Sequence, residues 1–124
     1  MAQARILGWK LDAADRAALL ERFPPRYAET VADHVTHGRA DEAPAVPDAS
    51  HAVAIGRADD GAGVEALVVA LAGASARWDG SRYHIAWSLG RGREARESND
   101  VIARCGWAPV EGSPRVGLER AEWP

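Results

Sequence analysis

The chain predicts an α+β fold, a mostly antiparallel sheet carrying two helices. Three observations predict it. Short apolar stretches with alternating character recur along the sequence. Only two segments space their apolar residues as a helix would. Successive strand-like stretches are also joined by short turns rather than by helices, which favours antiparallel pairing.

The elements follow in order. Residues 5–11 (RILGWKL) alternate loosely and read as a first strand. Asp12 suits an N-cap, and residues 13–23 place Ala14, Ala17, Ala18 and Leu20 among good helix formers. Pro24-Pro25 stops that helix. Residues 31–37 read as a second strand, and residues 39–48, with two prolines and three acids, as a loop. Residues 50–58 alternate as a third strand, and Asp59 to Gly63 form a turn. Residues 64–72 are apolar on both faces, which predicts a central strand paired with its predecessor. After the Asp79-Gly80 turn, residues 82–89 form a fifth strand and residues 90–96 a basic loop. Ser98 or Asn99 is placed to cap a short helix through Arg104, ended by Gly106. Residues 115–123 are the last strand. The order β-α-β-β-β-β-α-β suits one domain over residues 1–124.

Composition narrows the function classes. The net charge of -3 provides no global basic field for nucleic acid, so such contact has to be local. The basic residues are fourteen Arg and the single Lys10; this suits phosphate binding, or reflects coding bias alone. A lone Cys105 allows no internal disulfide. Charges within the first twenty residues argue against a signal peptide. The longest uncharged apolar run, near residues 66–74, is far short of the roughly 20 residues of a membrane span. The expectation is a cytoplasmic protein without membrane contact. Nothing in the composition fixes an oligomeric state.

Two histidine segments carry the chemistry. In a strand, residues two apart share a face. His34 and Thr36 therefore point one way, and Asp33 and Val35 the other. Likewise His84, Ala86 and Ser88 line the front of their strand, with Ile85, Trp87 and Leu89 behind. Two imidazoles in one cleft can act as general acid and general base, and hydroxyls beside them suit phosphate oxygens. The plainer alternative is two packed histidines bonded to carbonyls. Arg91, Arg93 and Arg96 follow the second histidine and either clamp a phosphate or form a solvated loop. Asn99 reads a ribose or base edge, or merely caps the helix.

Other chemistries fit less well. His34 and His37 point to opposite faces of a strand and cannot chelate together, so no metal ligands or cofactor are assigned. There is no Gly-x-Ser-x-Gly elbow, and Gly61-Ala62-Gly63 lacks the Lys-Ser/Thr of a phosphate loop.

The pair of segments resembles the two-histidine (2H) phosphoesterase family, whose members carry two His-x-Thr/Ser-hydrophobic motifs. His34-Val35-Thr36 matches the first motif, with His37 at the usual apolar position. His84-Ile85-Ala86-Trp87 matches the second at the histidine and the apolar positions, with Ala86 at the hydroxyl position. Phe23-Pro24-Pro25-Arg26-Tyr27, Tyr83 and Glu97-Ser98-Asn99 look like a compact branch related to RNA-repair and tRNA-ligase-associated phosphodiesterase domains. The resemblance spans roughly residues 5–122. It implies metal-independent hydrolysis of a 2′,3′-cyclic phosphate or a related phosphodiester of a nucleotide or RNA end. His34 and His84 would be catalytic, and Thr36, Ser88, Arg91, Arg93 and Asn99 would bind substrate. The alternatives are a nucleotide- or RNA-binding module with weak or lost catalysis, and a structural subunit.

Overall fold

The computed structural model describes residues 5–124. The fold is α+β, as the sequence predicts, with eight antiparallel strands and two α-helices among the described residues. The strands are β1 (Ile6–Leu11), β2 (Glu29–Thr30), β3 (His34–Arg39), β4 (His51–Asp59), β5 (Val64–Ala70), β6 (His84–Leu89), β7 (Ala108–Pro109) and β8 (Arg115–Trp123). The helices are α1 (Ala13–Arg22) and α2 (Ser98–Cys105). The sheet order is β2-β6-β5-β4-β8-β1-β3, with β7 on β4.

Local chemistry sets the helix ends. The Asp12 carboxylate accepts the Asp15 N–H at 3.0 Å and caps α1, as expected. Gly106, at φ 68°, closes α2 with its N–H on the Ile102 carbonyl. At the other end of α2 neither Ser98 nor Asn99 serves as the cap. A short 3-10 turn over Ala95–Glu97 leads directly into the helix, so Asn99 lies inside it.

The core forms where the sheet meets α1. Leu19 of α1 and Phe23, just past its end, join Trp9, Val35, Leu67, Val69, Ile85, Trp87 and Val116. On the other face of β5, Val101 and Ile102 of α2 cover Val64, Val68 and Leu89. Thus β5 is buried on both faces, which accounts for its apolar run, broken only by the buried Glu65. No helix among the described residues is long and apolar enough to cross a membrane.

One expected strand is two. The segment read as a single strand over residues 31–37 breaks at Ala32, whose φ is 43°. Before the break, the N–H groups of Val31 and Ala32 donate to the carbonyls of Trp87 and Ala86 on β6. After it, β3 pairs with β1 at the far end of the sheet path. The chain thereby brings β3 back within 8 Å of β6. Carbonyls turned away from any strand partner at the break are taken up by α1: Arg16 Nε donates to Ala32 O at 2.5 Å and Nη2 to Val31 O at 3.4 Å.

Replacing Arg16 by Met keeps an unbranched apolar stem and leaves both carbonyls without that partner. The expected loss is about 1–3 kcal/mol of unfolding free energy, the cost of unsatisfied buried polar groups. Urea denaturation checks it; an unchanged midpoint would mean that the break holds without Arg16.

Candidate functional site

The side-by-side approach of β3 and β6 opens a cleft of about 300 Å³. His34 and Thr36 line it from β3, and His84 and Ala86 from β6. Alternation dictates this, since Val35 and Ile85 between them are fully buried in the core. Ile6 and Trp123 complete the wall on the β3 side, and Arg77, Arg96 and Asn99 the wall near β6.

The two imidazoles are held differently. His84 Nδ1 lies 2.9 Å from the Arg82 carbonyl. A carbonyl only accepts, so Nδ1 carries the proton and the neutral ring keeps its lone pair on Nε2. Burial pushes the His84 pKa below the ordinary histidine value, and the nearby charges of Arg77 and His34 lower it further.

His34 Nδ1 instead lies 3.0 Å from Asp33 Oδ2. Strict alternation sends Asp33 to the opposite face, yet it contacts the ring. The break at Ala32 is the reason: Asp33 precedes β3 and is free of its pleat. Lys10 Nζ donates to the same carboxylate at 2.5 Å, and this pairing, with His34 adding to it, holds the Asp33 carboxyl below the usual range. The ring of His34 rests 4.6 Å from that of Trp123. Gly8 makes room for that indole, because a Cβ there would lie 3.0 Å from Trp123 Cη2 and 2.1 Å from the Val35 carbonyl.

The other histidines are separate. His37 is buried, with Nδ1 3.0 Å from the Tyr83 hydroxyl and Nε2 3.0 Å from Pro44 O. This satisfied ring is why a histidine occupies a position where an apolar residue would serve. No group of His, Cys, Asp and Glu suited to a metal ion occurs among the described residues.

Several expected binding residues lie elsewhere. Ser88 does not share the face of His84. Ala86 pairs with Ala66 but Ser88 with Glu65, so Trp87 is an extra residue in β6 and forms a bulge. The bulge turns Ser88 to the opposite face, where it is fully buried and donates to Glu65 Oε1 at 2.6 Å. Leu89 is turned the other way, onto Val64 and Val101. Arg93 is tied to Asp60, Glu97 and the Ala62 carbonyl, away from the cleft. Arg91 is exposed and does not line it. Thr36 and Asn99 do line it.

Arg77 is the residue that sequence reasoning missed. Its side chain is only 10% exposed. Nε and Nη2 donate to the two oxygens of Asp79 at 3.1 and 2.7 Å, and that fork pushes the Asp79 carboxyl far below its usual range. Nη1 lies 3.4 Å from Thr36 O. The available signal was an Arg two residues ahead of an Asp-Gly turn that leads into the His84 strand.

Among the described residues, the lining therefore holds two imidazoles and two guanidiniums and no carboxylate. In a chain with 18 acidic residues, that composition is selective for an anion. Comparison with protein-family models, curated proteins and solved structures finds no match to this chain.

Because Ser88 belongs to the buried face, Ser88→Ala should weaken the fold by about 1–3 kcal/mol, the cost of leaving the Tyr27 N–H and a buried Glu65 oxygen short of a partner, and leave phosphate affinity at the cleft unchanged. Thermal melts and phosphate titration by calorimetry separate the two; a fall in affinity at full folding would return Ser88 to the site.

Proposed function

We propose that this chain is a metal-independent phosphoesterase of the two-histidine type, hydrolysing a 2′,3′-cyclic phosphate or a related phosphodiester of a nucleotide or RNA end. The observation that carries the reading is the unequal pair of imidazoles in a cleft with two guanidiniums and no carboxylate. The resemblance of the two His segments to the 2H motifs supplies the substrate class.

The inequality assigns the roles. His84, kept neutral by burial and with Nε2 unprotonated, takes a proton from water. His34, whose Asp33 partner complements an imidazolium, gives a proton to the departing ribose oxygen. The water oxygen bonds to phosphorus as the ribose oxygen leaves, and the product is a phosphate monoester. Thr36 and the guanidinium of Arg77 hold the non-bridging oxygens.

A second reading follows from Ala86. With Ala at that position and Ser88 turned away, Thr36 is the one hydroxyl lining the cleft among the described residues. This favours a nucleotide- or RNA-binding module in which catalysis is weak or lost.

Hydrolysis of a 2′,3′-cyclic nucleotide in the presence of a chelator tests the first reading. His34→Ala and His84→Ala should each cut turnover by about 10²-fold or more. Tight binding by the wild type without turnover, with Ala86→Thr restoring it toward the 10²–10³ that an oxyanion donor contributes, selects the second.

The pH profile should follow His84. Its lowered pKa keeps the base neutral further into acid, so activity falls only at pH below the ordinary histidine value of about 6.5. Arg77→Met removes one of the charges that lower it and should move that acid limb upward. A limb that stays put would assign the titration to another group.

A further inference from the structure

A second cavity, also of about 300 Å³, opens beside α2. Asn99 lines both it and the cleft. Residues 77–84 also run between the two: Arg77 and His84 face the cleft, whereas Gly80 and Arg82 face the second cavity. We propose that this second cavity is a subsite for the penultimate nucleotide, the one preceding the nucleotide whose phosphate is held in the cleft, so that a single strand of at least two nucleotides spans both. The proposal rests on the phosphate reading of the cleft.

The lining fits a base and its phosphate. Trp107, Ile102 and Ala103 offer a flat apolar wall. Trp107 lies directly across β4: a Cβ on Gly56 would come 1.7 Å from its Cδ1, so the ring is seated against backbone. A rigid indole beside open space is a stacking platform for any nucleobase.

The charge fits as well. Among the described residues Arg82 is the one charged residue in the lining, with its guanidinium 5.6 Å from the Trp107 ring. Its Nη1 donates to Ser75 Oγ at 3.0 Å, which steadies it and leaves further donors for a phosphate. Asn99 stands between the cavities, and its Oδ1 is buried without a hydrogen-bond partner. A ligand hydroxyl or base amino group near that amide would complete it after a small rotation of the side chain. Two adjoining cavities without carboxylates, in a chain of net charge -3, make a track for a polyanion rather than for a single ion.

Calorimetric titration of the intact chain tests this with inorganic phosphate, a ribonucleoside 3′-phosphate and a ribodinucleotide ending in a 3′-phosphate. The dinucleotide should bind about tenfold or more tightly than the mononucleotide, as one stacked base contributes. Ala103 is exposed on α2, so Ala103→Trp fills the cavity and Ala103→Glu charges it without touching the core. Both should abolish the dinucleotide's advantage and leave phosphate and mononucleotide affinities as they were. Equal affinities for the two nucleotides in the wild type, or an advantage that survives both substitutions, would overturn the subsite and leave the cleft reading intact. If none of the three probes binds, the cleft reading falls and the subsite with it.

Discussion

The site depends on one backbone event, the break at Ala32. Along the hydrogen-bonded path, β6 and β3 are separated by β5, β4, β8 and β1. A chain that stayed in one strand from residue 29 to residue 37 would keep His34 on β6 or on β1, not between them. The left-handed residue lets 29–32 pair with β6 and 34–39 with β1. A non-glycine residue at that φ costs about 1–2 kcal/mol. The Arg16 fork and the full burial of Ala32 offset that cost. The helix that covers the core thus also fixes the chain crossing that forms the cleft.

The same break governs the electrostatics. It frees Asp33 to reach His34, and so makes the two imidazoles different. Carboxylates stand behind the cleft rather than in it. Asp33 is held by Lys10, Asp79 by Arg77 and Glu94 by Arg96. Asp33 thereby contacts His34, and Asp79 holds Arg77, while the negative charge of each is countered. An isolated guanidinium as buried as Arg77 would be costly; the bidentate Asp79 makes it tolerable and fixes its plane.

Much of the fold was legible because its signals are local. Asp12, Pro24-Pro25 and Gly106 mark helix ends with chemistry that acts within a few residues. The doubly apolar run of β5 and the alternation of β4 reflect burial that every strand of those kinds shares. Alternation alone put His34 with Thr36, and His84 with Ala86, on one face of their strands. What escaped is what breaks alternation. Nothing in Thr30-Val31-Ala32-Asp33 announces a left-handed residue, and nothing in Ala86-Trp87-Ser88 announces a bulge. Both arise from long-range demands: Arg16 on α1 for the first, Glu65 on β5 for the second. Arg77 escaped because its loop has no period to read.

The bulge at Trp87 explains why the cleft is short of a hydroxyl on one side. Glu65 is fully buried and has to be satisfied. Arg57 meets one oxygen; the other accepts from the Arg26 N–H and the Ser88 hydroxyl. The Ser88 oxygen in turn accepts the Tyr27 N–H, so this cluster anchors the segment that leads from α1 into β2. Ser88 cannot serve that anchor and the cleft together. A guanidinium can stand in where a hydroxyl is missing, because it carries five N–H donors. Arg77 directs three of its nitrogens at Asp79 and Thr36, which leaves N–H groups on its Nη atoms free beside His84. Charge from Arg77 lowers the pKa of that imidazole and, on the proposed reading, would complement a phosphate at the same point. On the proposed phosphate reading, the absence of a hydroxyl at Ala86 and the buried cation at Arg77 are two parts of one arrangement, in which charge would stabilise a phosphate where a second hydroxyl would otherwise bond to it.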